Sequence, residues 1–216
     1  MSFITRSTSI TRLWRGYEGT STAVLNAYVL LKFYNYVTSL EREFSKLGFR
    51  DVFYIVLSNG GVNTSSFIKN YPIYTVEGGP ISGVFGAVVL GKSVDERNLI
   101  VLDGGNTTTK ASLVRDLNYI TRSDYYIGST RYSPGYPAMI PIIEVFETGI
   151  GGTSIAWIDD AGRLRVGPRA AGSYSGPACY GRGGTEPTLT DAYVITGFLN
   201  PRQLLGGELK IDRAWR

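Results

Sequence analysis

NLIVLDGGNTTTKASLV, residues 98–114, is the stretch on which the reading of the chain turns. An apolar run, Leu99 to Leu102, delivers one carboxylate, Asp103, and a second apolar run follows Lys110. A strand that ends at Asp103 places the carboxylate at a sheet edge, where α/β folds bind ligands. Gly104 and Gly105 permit positive φ and close approach of a ligand to the backbone. Successive N–H groups of such a turn, through Asn106 to Thr108, form an anion nest. The hydroxyls of Thr107, Thr108 and Thr109 can donate to phosphate oxygens. Asp103 can hold Mg²⁺ through water, and Lys110 adds a positive charge if it points back to the loop. A phosphate cradle and a plain hairpin with a Gly-Asn turn both fit these residues. The strand-to-helix phosphate loop does not, because no G-x-x-x-x-G-K pattern is present.

Outward from this stretch, three- and four-residue apolar steps predict one long helix over 20–48. Its steps are Val24, Ala27, Tyr28, Leu31 and then Phe33, Val37, Leu40, Phe44, Leu47. Thr20, Ser21 and Thr22 offer N-caps and Gly48 the stop. DVFYIVL (51–57) reads as a buried strand ending in the turn SNGGV (58–62), where Asn59, Gly60 and Gly61 suit either a plain turn or a substrate or subunit loop. A short helix near 64–70, a strand YPIYTV (71–76), a glycine-opened helix over 78–91 and the buried strand NLIVLD follow. This alternation predicts an α/β unit with mostly parallel strands over about 17–115. From about 116 to 216 the pattern changes to adjacent β-strands and glycine-dense loops, with a hairpin turning at Asp159–Gly162 and a last helix starting near Thr190 or Asp191.

Composition narrows the chemistry. Of 216 residues, 43% are hydrophobic and 19% charged, and the net charge is +4. That describes a chain able to bury a core. Its cations are scattered, with one short patch at Arg163, Arg165 and Arg169, so no nucleic-acid partner is inferred. Apolar runs fall below the roughly 18 residues of a membrane span, and the N-terminus lacks a secretory pattern. One cysteine, Cys179, forms no internal disulfide and suits a cytoplasmic setting. The histidine count is zero, which excludes a Ser-His-Asp triad, a Cys-His dyad and a histidine-ligated zinc site within this chain.

Seven blocks then carry a resemblance: YEGTSTAVLNAYV (17–29), SNGGV (58–62), GGPISGVFGA (78–87), VLDGGNTTTKASLV (101–114), GIGGTSIAWIDDAGRLRVGP (149–168), GPACYGRGGTEPTLTDA (176–192) and LLGG (204–207). In this order they make the chain similar to the hydantoinase A family, which includes N-methylhydantoinase and 5-oxoprolinase together with the related acetone and acetophenone carboxylase subunits. The resemblance implies ATP-dependent hydrolysis of a cyclic amide of hydantoin or 5-oxoproline type, with a ketone carboxylase subunit as the alternative. It also implies an actin-like (ribonuclease H-like) ATPase lobe with a mixed sheet, ATP and Mg as cofactors, and a complementary subunit as partner. Only the middle part of a full-length subunit is covered, so 1–216 is expected to be a single partial domain. The site residues implied are Asp103 to Lys110 and Gly149, Gly151 and Gly152 for the nucleotide. Asp103 and Asp191 are implied for catalysis, and Asp103 and Glu144 for metal.

The chain departs from the family pattern at chemically telling places. The family loop reads Asp-x-Gly-Gly-Thr-Ser-Thr-Asp. Here Asn106 replaces the second glycine and Lys110 the final Asp, which reverses a charge. The family's Asp-x-His before Gly-Ala-Gly-Gly-Gly-Ser is here Glu144-Val145-Phe146, and a phenylalanine cannot ligate a divalent ion. The family's metal site is therefore expected to be degraded, which makes a catalytically inactive remnant or binding module a further alternative. Glu144 and Glu147 can hold a hard cation weakly or form an ordinary strand-end pair. Asp191 fits either a site carboxylate or a helix N-cap, and Arg182 with Glu186 fits an internal ion pair. Cys179, without a histidine beside it, reads as a packed or loop thiol.

Overall fold

The computed structural model describes residues 4–130, 132–202, 207, 208 and 211; residues 204–206 of the LLGG block lie outside them. Two compact units form, each from two chain segments: Met1–Val101 with Ser112–Val145, and Leu102–Ala111 with Phe146–Arg216. The expected change of character near residue 115 thus meets a division in space that follows different boundaries. Among the described residues no helix is long and apolar enough to cross a membrane.

In the first unit, a one-turn helix α1 (Ser7–Ile10) precedes α2 (Gly16–Lys46). The helix α2 starts four residues before the expected threonine caps. Thr20 and Thr22 instead donate to the carbonyls of Gly16 and Glu18, both at 2.7 Å, inside the helix. Gly48 ends it as expected, at φ 93°, with Gly48 N–H donating to Ser45 and Phe49 N–H to Phe44, the paired bonds of a Schellman cap.

The buried face of α2 is a correction to the apolar pattern. Val24, Tyr28 and Leu31 are exposed, Tyr28 by 83%, while Gly19, Thr22, Asn26, Leu30 and Val37 are buried. Side-chain hydrogen bonds decide the phase. Thr22 Oγ1 accepts Met139 N–H at 2.8 Å. Asn26 Oδ1 accepts Ile73 N–H at 3.2 Å, and its Nδ2 donates to Asn70 O at 3.1 Å. These backbone groups have to be satisfied once buried, and only a polar stripe can do it.

Strands β1 (Tyr54–Val56) and β2 (Val62–Thr64) form an antiparallel hairpin through the SNGG turn. The strand expected over 51–57 is therefore only three residues long, and Tyr54 is exposed. Thr64 caps the short α3 (Ser65–Ile68). The strand expected at 71–76 is a 3₁₀ turn, Pro72–Thr75; proline at its first position fixes φ and lacks the N–H a strand ladder needs. Helix α4 (Gly78–Ser93) stands where expected. At Gly91 a Cβ would lie 2.6 Å from Glu96 O, so a side chain is excluded there.

Strands β3 (Leu99–Gly104) and β4 (Thr109–Arg115) pass from one unit into the other. Only one face of β3 is covered: Leu99 and Val101 pack with Val84, Val88 and Val114, while Ile100 and Leu102 are exposed. Short strands β5 (Asn118–Tyr119), β6 (Thr121–Arg122), β7 (Tyr125–Ile127), β8 (Tyr136–Ala138) and β9 (Ile142–Ile143) complete the first unit. Beyond the Val84 cluster, its core is two further groups, around Ile10, Ile73 and Ile140 and around Ile81, Ile142 and Ile143.

The second unit adds β10 (Phe146–Thr148), β11 (Ser154–Ile158), β12 (Leu164–Ala170) and α5 (Leu189–Thr196). The fold is mixed α/β, but its described strand pairs β1–β2, β4–β5, β4–β10, β6–β9, β7–β8 and β11–β12 are all antiparallel. The expected parallel sheet is thereby overturned. Turns as short as SNGG and 105–108 can only reverse a strand, whereas a parallel pair needs a crossover of a dozen or more residues. The expected hairpin at 159–162 is present, with Gly162 at φ 76°.

Replacing Asn26 by Leu should orphan Ile73 N–H and Asn70 O and cost about 2–4 kcal/mol. Tyr28→Ala, on the open face, should stay within about 0.5 kcal/mol. Urea midpoints of the two variants check this.

Candidate functional site: a clamped hairpin tip

The second unit holds both the β3–β4 turn and the glycine-rich segment 149–154. Gly105 N–H donates to Thr108 O at 2.9 Å and closes the tip. The segment 149–154 lies against it: Gly152 N–H reaches Gly105 O at 3.0 Å, and Thr153 N–H and Oγ1 reach Asn106 O at 2.8 and 2.9 Å. Thr109 Oγ1 donates back to Ile150 O at 2.6 Å.

This clamp orients the tip. A trans peptide points its C=O and N–H in opposite directions. With Gly105 O and Asn106 O drawn to the 152–153 backbone, the N–H groups of Asn106 and Thr107 point away from it. Both residues are exposed, and their N–H groups meet no acceptor among the described residues. Two adjacent outward N–H groups make an anion nest. Asp103 is half-buried just before it on β3, and its carboxylate meets no donor or cation among the described residues. A Cβ at Gly104 would have open space around it. The side of the tip away from the clamp is thus free to take a phosphate and a hydrated Mg²⁺, and these residues fit that pair.

Gly151 and Gly152 serve close packing. A Cβ at Gly151 would lie 2.5 Å from Thr107 C and 2.6 Å from Thr108 N, and one at Gly152 3.1 Å from Thr190 Oγ1. Gly149 lies beside Pro168. Lys110 does point to the loop, 3.3 Å from Thr108 Oγ1. It also faces Glu147 across β4–β10 and pairs with it at 3.4 Å, so the reversed charge is neutralised within the sheet.

Helix α5 anchors the clamp, since Thr190 N–H and Oγ1 both donate to Gly152 O, at 2.8 and 2.7 Å. Thr188, not Asp191, is its N-cap; Asp191, at the third helical position, is the reciprocal partner in a capping box. The buried Asp191 accepts Thr188 N–H and Oγ1 and Cys179 N–H, each at 2.7 Å. The Cys179 thiol adds a further bond. Four donors match the roughly four lone-pair sites of a carboxylate. Burial alone would raise the Asp191 pKa, but the bonds from Cys179 and Thr188 together outweigh it and hold it below the ordinary carboxylate value. Burial, then Asp191, push the Cys179 thiol up to about 12, so it stays protonated and packed.

Glu144 belongs to the first unit. Arg122 contacts its carboxylate through Nε and Nη2. No group of three or more His, Cys, Asp or Glu able to hold a metal exists among the described residues. A divalent ion does not fit at Glu144, since a guanidinium already occupies the carboxylate. The expected Arg182–Glu186 pair is replaced by Arg169–Glu186 at 2.7 Å. Sequence reasoning missed Thr153, Ser154 and Thr190, whose hydroxyls hold the clamp. Thr153 stands where the resembled family pattern has its last glycine, and that departure was the available signal.

Comparison with known proteins agrees with this architecture. The hydantoinase/oxoprolinase family model matches residues 19–215, and the chain belongs to that family. It is 35% identical over 201 residues to the caprolactamase alpha subunit of Pseudomonas jessenii, covering 92% of this chain and 28% of the relative. The crystal structure of the ATP-dependent caprolactamase of that organism superposes with a TM-score of 0.65, at 32% identity over 97% of this chain and 30% of that chain. The acetophenone carboxylase gamma subunit of Aromatoleum aromaticum is 33% identical over 202 residues, 92% of this chain and 26% of its own. A nucleotide-free acetone carboxylase shares the fold, with a TM-score of 0.78 at 24% identity, over 96% of this chain and 28% of that one. The chain therefore spans less than a third of each relative's length.

Gly151→Ala should destabilise the second unit by about 1–3 kcal/mol through overpacking, read as faster amide exchange at Gly152 and Thr153. Asp191 has a lowered folded pKa, so its stabilisation is present above the unfolded carboxylate pKa and is lost as pH falls through the folded value. Asp191→Asn should remove that acid-dependent part of the stability curve, as followed by thermal unfolding between neutral and acidic pH.

Proposed function

We propose that the second unit binds the phosphates of ATP on the Asp103–Lys110 hairpin. In this reading the chain is the nucleotide-binding part of an ATP-dependent enzyme acting on a cyclic amide of hydantoin or 5-oxoproline type. The observation that carries the proposal is the outward pair of N–H groups at Asn106 and Thr107, fixed by the clamp behind them. The ATP dependence of the related caprolactamase supports it. The fold that goes with this function is an actin-like ATPase lobe with the β3–β4 turn as its phosphate hairpin.

Each residue has a part. Asn106 and Thr107 donate backbone N–H groups, and the exposed Thr107 adds its hydroxyl. Asp103 holds hydrated Mg²⁺. Gly104 leaves room for ligand, while Gly149, Gly151 and Gly152 keep the wall close behind the tip. Asp191, filled by four donors, positions the clamp through Thr190. ATP supplies the phosphoryl group that activates a carbonyl oxygen. A complementary chain completes the enzyme. The exposed stripe of Tyr17, Val24, Tyr28 and Leu31 on α2 supports that, because contiguous apolar surface of this kind marks interaction sites. So does the word "subunit" in the relatives' names. A single buried thiol suits a reducing, cytoplasmic setting.

The identity to an acetophenone carboxylase subunit favours one second reading, a ketone carboxylase component using the same hairpin. The Lys110–Glu147 and Arg122–Glu144 pairs favour another, a binding module that has lost its chemistry.

Calorimetry with Mg-ATP is the direct test. Wild type should bind, and Asp103→Ala should weaken binding about tenfold or more, the loss of one charge-assisted contact. Absence of binding at millimolar nucleotide leaves the hairpin purely structural and overturns the proposal.

A further inference from the structure

The chain has one Asn-Gly pair, Asn59-Gly60, and it stands in the SNGG turn between β1 and β2. In an open chain such a pair loses its side-chain amide spontaneously. The Gly60 amide nitrogen gives up its proton and bonds to Asn59 Cγ; the Cγ–Nδ2 bond breaks, and the amide leaves with that proton as ammonia. The five-membered imide takes up one water, which breaks one of its two ring C–N bonds. One break gives aspartate, and the other gives isoaspartate, with Cβ inserted into the main chain. Both steps proceed without oxidant or metal. Glycine as the second residue permits the attack because it has no Cβ to crowd the nitrogen.

In the folded turn this nucleophile is engaged. Gly60 N–H donates to Leu57 O at 2.9 Å. Neither Ser58 nor Asn59 has a positive φ, and Gly60 follows at φ 83°. The bond therefore closes a type I turn with a left-handed residue after it, the arrangement of three-residue hairpin loops. A type I turn holds ψ of its third residue, Asn59, near 0°. A planar imide needs Cβ, Cα, C and the Gly60 nitrogen in one plane, about 120° away in ψ from that turn value. Ring closure thus requires both loss of the Leu57–Gly60 bond and rotation of the Asn59–Gly60 peptide.

The surroundings resist that rotation. Leu57 N–H donates to Gly61 O at 2.8 Å. Ser58 is buried; its Oγ lies 2.7 Å from Tyr74 O and 2.6 Å from Val76 O, and its carbonyl accepts Ile143 N–H at 2.9 Å. A Cβ on Gly60 would lie 1.8 Å from the Phe85 ring, which is itself packed edge-on against Tyr119 with centroids 5.2 Å apart. The carboxamide is not what the fold shields. Asn59 is exposed, and its Oδ1 accepts Gly61 N–H at 2.9 Å, a bond that polarises Cγ toward attack. The turn holds an activated electrophile beside a locked nucleophile.

We propose that Asn59 is a gated modification site: the folded turn blocks imide formation, and local opening of the β1–β2 hairpin releases Asn59 to become aspartate and isoaspartate. A hairpin of two three-residue strands can open without the rest of the unit. Isoaspartate lengthens the main chain inside the turn, so the bonds from Gly60 to Leu57 O and from Leu57 to Gly61 O lose their register. Each isoaspartate then records one opening permanently. No residue of the phosphate hairpin takes part.

The test follows Asn59 by mass spectrometry of the proteolysed chain and by enzymatic methylation of isoaspartate, after incubation natively and in urea at one pH and temperature. Conversion should be at least about tenfold slower in the native chain, because only the open fraction reacts. Ser58→Ala and Phe85→Leu loosen the turn and leave the Asn-Gly pair intact. Each should raise the native rate several-fold and leave the rate in urea unchanged, with the amide spectrum showing that the variant is folded. Native conversion as fast as conversion in urea overturns the block. A native rate indifferent to both substitutions overturns the gate at this turn.

Discussion

The backbone of Gly151 lies so close to that of Asn106, Thr107 and Thr108 that no Cβ fits between them, and the second unit is organised around this contact. With the two backbones in touch, Gly152 and Thr153 reach the carbonyls of Gly105 and Asn106. Thr190 then holds Gly152, and Asp191 and Thr188 hold the first turn of α5 on which Thr190 sits. Each step satisfies a backbone group that the previous step has buried. The outcome at the far end is a tip whose N–H groups are aimed before any ligand arrives, which is how preorganised donors gain strength over flexible ones.

The first unit shows the limit of apolar periodicity as a guide. Val24, Tyr28 and Leu31 fall on a helical stripe as regular as any in the chain, and the existence and C-terminal stop of α2 followed from it. The stripe that is buried is Gly19, Thr22, Asn26 and Leu30. Periodicity reports where apolar residues stand and is silent about which backbone groups elsewhere need partners. Here Ile73 N–H, Asn70 O and Met139 N–H do, and those partners are more than forty residues away in sequence. The same blindness to distant pairing produced the parallel sheet, since alternation of helix and strand says nothing of turn length until the turns themselves are weighed. Pro72 gave a local warning against a strand at 71–76.

Within the site, the residues with special backbone demands were legible. Asp103 through Lys110 and Gly149, Gly151 and Gly152 all fall in the second unit, although the sequence pattern divides them at about residue 115. What sequence could not supply was direction. Whether a glycine lines a ligand or admits a neighbouring backbone depends on what lies opposite, and for Gly151 that is the hairpin itself. Asp191 carries the same lesson, because its type and spacing suit a site carboxylate, yet its oxygens are filled by Cys179 and Thr188.

Charge completes the argument. Two carboxylates read from the sequence as a weak cation pair or an ordinary strand-end pair, Glu147 on β10 and Glu144 before it, each face an organic cation: Lys110 for the first, Arg122 for the second. Lysine at 110 reverses the charge the family pattern has there, and Glu147 directly across the ladder cancels it. The tip thus gains no net positive charge from Lys110. Its attraction for an anion has to come from backbone dipoles, which do not titrate and whose direction is set by packing. In the proposed reading, anion affinity at this hairpin would rest on the clamp more than on Lys110, and disturbing Gly151 would weaken it by the same route as removing a donor.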